Sequence, residues 1–150
     1  MTKILFVCYG NICRSPMAEF IMKDIVERAG KSDEFYIGSA ATSDENTGWG
    51  VYGPARDQLE MMGLDCSSKK ARRIHPGDYD EFDIIVGMDS QNIRNMLRVF
   101  GGDPAGKIKK LLEYAGETRD VEDPWFTRDF DGVREDIIRG CEAMAKELEI

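Results

Sequence analysis

With 28 Asp and Glu against 20 Lys and Arg, the 150-residue chain carries a formal charge of -8, so its average field repels nucleic acid and anionic membrane, and any anion site has to be made locally. The length fits one domain, residues 1–150, and suffices to bury a core without disulfides or metals, so the four cysteines read as core or reactive thiols. No signal-peptide pattern and no long apolar span occurs, which points to a cytoplasmic protein.

Lys3 to Val7 is a short β-rich apolar run that stops at a turn-like Tyr-Gly-Asn, as a buried parallel strand does. Ser15 suits a helix cap and Pro16 a first helical position, and Met17, Ala18, Ile21, Met22, Ile25 and Ala29 follow at helical spacing up to Gly30. Residues 34–40 read as a second strand, 42–50 as a long polar loop and 54–63 as a second helix. Residues 82–88 form a third buried strand, followed by an Asp89-Ser90 cap and a helix through Phe100 that ends at Gly101-Gly102. Periodicity leaves 107–114 open between strand and helix, and the βαβα alternation favours strand. From Asp129 onward a final amphipathic helix carries Phe130, Val133, Ile137, Cys141, Ala145 and Leu148 on one stripe, while Glu142, Glu147 and Glu149 read as solvated surface. The pattern predicts an α/β fold, a small doubly wound parallel four-stranded sheet with helices on both faces and its ligand site at the C-terminal strand ends.

The segment Cys8-Tyr9-Gly10-Asn11-Ile12-Cys13-Arg14-Ser15 sits at such an end. A loop between a strand and a helix N-terminus gathers unpaired backbone N–H groups and the positive end of the helix dipole, which suit an anion or a thiolate. That setting, with an arginine nearby, marks Cys8 as a candidate nucleophile. Arg14 offers a planar fork for two phosphate oxygens, Gly10 and Asn11 accept the positive φ of a tight curl, and Ser15 is expected to cap the helix while turning its hydrogen to the Cys8 sulfur.

In the form V-C-x-G-N-x-C-R-S-P this loop closely resembles the N-terminal signature of the low-molecular-weight protein tyrosine phosphatases. The resemblance continues through residues 38–43, 71–74, 82–92 and 123–125, in order, and covers essentially the whole chain. It implies a phosphocysteine intermediate on Cys8, equatorial oxygens held by the loop amides and Arg14, and Asp123 as general acid and then base. Asn11 would hold the loop geometry and Ser15 assist the thiolate. Taken alone, Asp123-Pro124 reads as a turn start; the family context reverses that. Trp125 and Phe126, with Trp49 and Tyr9, read either as an aromatic slot for a phosphotyrosine ring or as loop-packing side chains. Ile12 stands where tyrosine phosphatases of this family have isoleucine and related arginine phosphatases favour threonine, which directs the expected substrate to phosphotyrosine proteins. A tyrosine kinase is a candidate partner, with phosphate or vanadate as inhibitors and no cofactor, metal, nucleic acid or membrane. The family also implies a reversible Cys8–Cys13 disulfide.

Lys69 departs from the histidine many relatives carry, and Trp125-Phe126 replaces the paired tyrosines of mammalian members, so regulation by phosphorylation there is not expected. Gly48 to Gly53 matches G-x-G-x-x-G but follows a polar run rather than a strand, and reads as a loop rim. Cys66 and Cys141 read as core residues, and the lone His75 builds no zinc site. Two rivals are a thiol-linked arsenate reductase, which carries a close mid-chain cysteine pair where Cys66 stands alone, and a phosphotyrosine-binding module, expected had Cys8, Arg14 or Asp123 been replaced.

Overall fold

The computed structural model describes residues 1–150. Four strands, β1 (Thr2–Cys8), β2 (Phe35–Ala41), β3 (Ile84–Gly87) and β4 (Ile108–Lys110), pair in parallel in the order β2-β1-β3-β4. Every residue from Ile4 to Val7 is buried, because β1 is central and covered on both faces. Its alternate side chains divide the core. Ile4 and Phe6 join α1 (Arg14–Arg28), α2 (Gly53–Met61) and α6 (Phe130–Glu147), whereas Leu5 and Val7 join Phe82, Ile85 and Met96 under α3 (Asp78–Glu81) and α4 (Ser90–Phe100). The sheet is thus doubly wound, as expected.

The order reverses between β1 and β3: the connection after β1 crosses to β2 on one side, and the connection after β3 crosses to β4 on the other. The C-terminal ends of β1 and β3 therefore splay apart and open a crevice between Cys8 and the Gly87–Asp89 corner.

Apart from β4, element limits lie within two residues of the sequence expectation, and three differences are physical. Helix α1 starts at Arg14, with Cys13 at the cap position and no side-chain cap, so Ser15 lies inside the first turn and does not cap it. The expected strand over 107–114 lasts three residues; Leu111–Ala115 is a 3-10 turn. Successive strand side chains point to opposite faces, but Leu111 and Leu112 are both buried in the core shared with α1 and α6, and the turn lets Leu111 pack on α6 while the Glu113 carboxylate accepts from the Lys110 N–H. Two one-turn helices, α3 and α5 (Pro124–Thr127), are too short to leave a periodic trace.

Helix α6 buries Phe130, Val133, Ile137, Cys141 and Ala145 along its predicted stripe, with Gly140 and Met144 beside them. Gly140 allows the closest approach: a Cβ there would lie 2.5 Å from Leu111 Cγ. Gly140→Ala gains about 1 kcal/mol of helix propensity but overpacks a fully buried contact, at a cost of about 1–3 kcal/mol. The variant is expected to be less stable in urea unfolding; equal or greater stability would show that Leu111 has room to move.

Candidate active site

Cys8 is the last residue of β1 and is buried. The loop after it turns at Asn11, whose φ of 57° is left-handed, a region asparagine tolerates better than most residues. Gly10 has no positive φ and serves differently, since a Cβ there would lie 2.6 Å from Asn46 Oδ1. Its lack of a side chain lets the 42–50 loop close over the curl.

A buried polar chain fixes the sulfur from behind. The Ser39 hydroxyl donates to Glu19 Oε1 at 2.5 Å, so its lone pairs are open, and Asn11 Nδ2 donates to Ser39 Oγ at 2.9 Å and to Ser15 Oγ at 2.8 Å. Ser15 Oγ, already an acceptor, has its own hydrogen free for Cys8 Sγ at 3.0 Å, a shorter contact than the 3.4 Å to the Ala40 carbonyl. The Ser15 backbone N–H also donates to Cys8 Sγ, at 3.4 Å. Asn11 Oδ1 accepts from the Arg72 N–H, so every polar atom of its amide is occupied. Lys69 closes the chain: Nζ donates to the Ser39 carbonyl at 2.9 Å and pairs with Glu19 Oε1 at 3.4 Å. Burial lowers the Lys69 pKa, and the Glu19 charge opposes that.

Arg14, only 2% exposed, is held on the other side. One guanidinium nitrogen donates to Asp89 Oδ2 at 2.7 Å and to the Val121 carbonyl at 2.9 Å; another lies 3.5 Å from Asp123 Oδ2. Asp89 is fixed in turn as the N-cap of α4, accepting from the Asn92 N–H at 2.7 Å in a reciprocal capping box. Asp123 caps α5 by accepting from the Trp125 N–H at 3.0 Å, which leaves Oδ2 toward Arg14. The turn-start reading and the acid reading of Asp123-Pro124 are thus compatible. The loop bearing Asp123 is pinned by Val121 N–H to the Met88 carbonyl and by Asp120, whose Oδ1 accepts from Lys110 Nζ and from the Ser90 N–H.

Above Cys8 and Arg14 opens a cavity of about 570 Å³ that is lined by Tyr9, Gly10, Ile12, Cys13, Trp49, Asp123, Trp125 and Phe126, among others. All the site residues read from the sequence meet here except Asn11 and Ser15, which support Cys8 from beneath. The aromatic quartet is exposed and lines the cavity, and Tyr52 stacks on Trp125 with ring centroids 4.9 Å apart. Burial and the neighbouring Cys8 push the Cys13 thiol up to about 12, so it is protonated at neutral pH. Cys66 and Cys141 are buried in the core and do not line the cavity.

The sequence reading missed Glu19, Ser39 and the second task of Asp89. A carboxylate between Ala18 and Ile21 on the buried side of α1 was the available signal for Glu19. No group of three or more His, Cys, Asp or Glu is arranged to hold a metal ion.

The family described as low molecular weight phosphotyrosine protein phosphatase matches residues 3–150. The low molecular weight protein-tyrosine-phosphatase YfkJ of Bacillus subtilis is 34% identical over 155 residues, spanning 99% of this chain and 97% of that protein. Its crystal structure matches with a TM-score of 0.96 over 99% of this chain and 95% of that one. The low molecular weight protein tyrosine phosphatase of Streptococcus pyogenes is 38% identical with a TM-score of 0.88, covering 99% of this chain and 93% of that one. The low molecular weight phosphotyrosine protein phosphatase of Sus scrofa is 34% identical over 152 residues, 97% of this chain and 94% of that protein. With a family match over residues 3–150, a relative 34% identical over 99% of the chain and a solved structure that matches with a TM-score of 0.96, the chain belongs to the low molecular weight phosphotyrosine protein phosphatase family of hydrolases.

Proposed function

We propose that this protein hydrolyses phosphotyrosine in proteins through a phosphocysteine on Cys8. The observation that carries the reading is the convergence of Arg14, Asp123 and the Ser15 hydroxyl around one buried cysteine at the floor of an aromatic-walled cavity. In the first step the Cys8 thiolate attacks phosphorus, the bond to the phenolic oxygen breaks, and Asp123 gives that oxygen its proton. In the second a water attacks the phosphocysteine, the S–P bond breaks, and the Asp123 carboxylate takes a proton from the water. Arg14 and the loop N–H groups stabilise the equatorial oxygens, and the guanidinium is preorganised because Asp89 and Val121 already hold it. The Ser15 hydrogen bond stabilises the sulfur as the leaving group of the second step.

The aromatic walls and the buried Ile12 favour a long aryl phosphate over a short phosphoserine. A relay of three cysteines, as an arsenate reductase would need, lacks its third member at the site, since Cys66 and Cys141 lie in the core. The substrates are then phosphotyrosine-containing proteins, a tyrosine kinase among the candidates, with phosphate and vanadate as competing anions and a cytoplasmic setting. No helix is long and apolar enough to cross a membrane.

Cys13, which lines the same cavity as Cys8, also suits a redox role. Peroxide would convert the Cys8 thiolate to a sulfenic acid, the Cys13 thiol would attack that sulfur, and water would leave as the disulfide forms.

Cys8→Ser is expected to abolish turnover of p-nitrophenyl phosphate while retaining vanadate binding; retained hydrolysis would remove Cys8 as nucleophile. Asp123→Asn should slow a phenyl phosphate by roughly 10²–10⁴-fold, the usual contribution of a general acid. An unchanged rate would take Asp123 out of the mechanism. Peroxide-treated enzyme should regain activity in dithiothreitol, and Cys13→Ser should recover poorly; equal recovery would contradict the disulfide.

A further inference from the structure

The mouth of the active-site cavity has the opposite sign from its floor. Six acidic or basic side chains line the cavity, namely Arg14, Glu45, Asp89, Asp120, Glu122 and Asp123. Asp89 and Asp123 are turned to Arg14, and Asp120 is paired with Lys110 at 3.0 Å. Glu45 and Glu122 remain, one on the 42–50 loop and one on the acid loop, both exposed and neither in an ion pair. Glu45 stands against Tyr9, the residue after the nucleophile, and its charge and hydrogen bonding hold the Tyr9 hydroxyl above its usual range. Apart from Arg14 no lysine or arginine lines the cavity. Arg128, just beyond α5, donates to the Tyr52 hydroxyl and lies over the Tyr52 and Phe130 rings; its field reaches Cys13, but it neither lines the cavity nor pairs with Glu45 or Glu122.

A phosphatase with this mouth faces a conflict, since its substrate is a dianion that must pass two uncompensated carboxylates. A cation on the substrate beside the phosphotyrosine resolves it. The same rim presents Trp49, Trp125 and Phe126 with exposed ring surface, and aromatic faces attract Lys and Arg side chains. Two independent features, free carboxylates and open aromatic faces, therefore call for the same chemistry in the flanking chain. Resting on the phosphotyrosine reading above, we infer that Glu45 and Glu122 are specificity residues that select phosphotyrosine flanked by lysine or arginine and disfavour phosphotyrosine in an acidic stretch.

The test uses two peptides with one phosphotyrosine core, one with lysines and one with glutamates at the adjacent positions, together with p-nitrophenyl phosphate. At low ionic strength kcat/KM for the lysine-flanked peptide should exceed that for the glutamate-flanked peptide roughly tenfold, and the ratio should shrink toward one near 0.5 M salt, where the Debye length falls to about 4 Å. The double variant Glu45→Gln, Glu122→Gln should bring the low-salt ratio close to one. A wild-type ratio of one or below, or a ratio that the double variant leaves intact, would overturn the assignment even while p-nitrophenyl phosphate is hydrolysed. Failure to hydrolyse p-nitrophenyl phosphate would instead remove the phosphatase reading, and this inference with it.

Discussion

The site depends on a cation that has nowhere else to go. Arg14 is buried at the first turn of α1, and its 2.7 Å bond to Asp89 joins the end of β1 to the end of β3 across the crevice that the sheet topology opens. A charge taken out of water is tolerated only when paired and hydrogen-bonded, and leaving one partner of such a pair unmatched costs about 3–5 kcal/mol. The fold therefore cannot close without bringing Asp89, the Val121 carbonyl and Asp123 to Arg14. The loop that carries Asp123 arrives beside Cys8 as a consequence of satisfying the guanidinium. The guanidinium fork is thus held in place by protein groups alone.

Behind the sulfur a second constraint works by direction rather than by charge pairing. Glu19 is acceptor-only when ionised, so each group between it and Cys8 is told which way to donate, from Ser39 through Asn11 to Ser15. The hydrogen that reaches the sulfur is thus oriented by a carboxylate three hydrogen bonds away. Lys69 keeps that carboxylate from being an isolated buried anion, with Lys23 at 2.6 Å on its other oxygen. The same Lys69 ammonium also satisfies the Ser39 carbonyl.

What the sequence disclosed follows the range of the interactions. The Cys8 loop was legible because its parts are contiguous and end a strand, and α4 and α6 were legible because their caps and stripes are local. Ser15 was misread as a cap because a hydroxyl at a helix start has two uses, and only the fold shows that Asn11 and Cys8 claim it. The Arg14 bond to Asp89 spans 75 residues and leaves no local mark, so Asp89 showed only its capping half. The end of β4 was lost because Leu111 faces a glycine on α6, a contact set by packing between distant segments.

The same depth that separates these layers separates chemistry from selection. On the proposed mechanism, Arg14 and the loop N–H groups at the floor act where water is scarce, and they would hold the phosphoryl group of any monoester alike. At the mouth, Glu45, Glu122 and the aromatic rim act in solvent, where each contact is weak and screened, and so cannot contribute much to the rate of bond breaking. Weak contacts are well suited to discrimination, because they differ between substrates that share one phosphotyrosine. On that division, changes at the mouth would alter which proteins are chosen while Cys8 and the groups beneath it stay as they are.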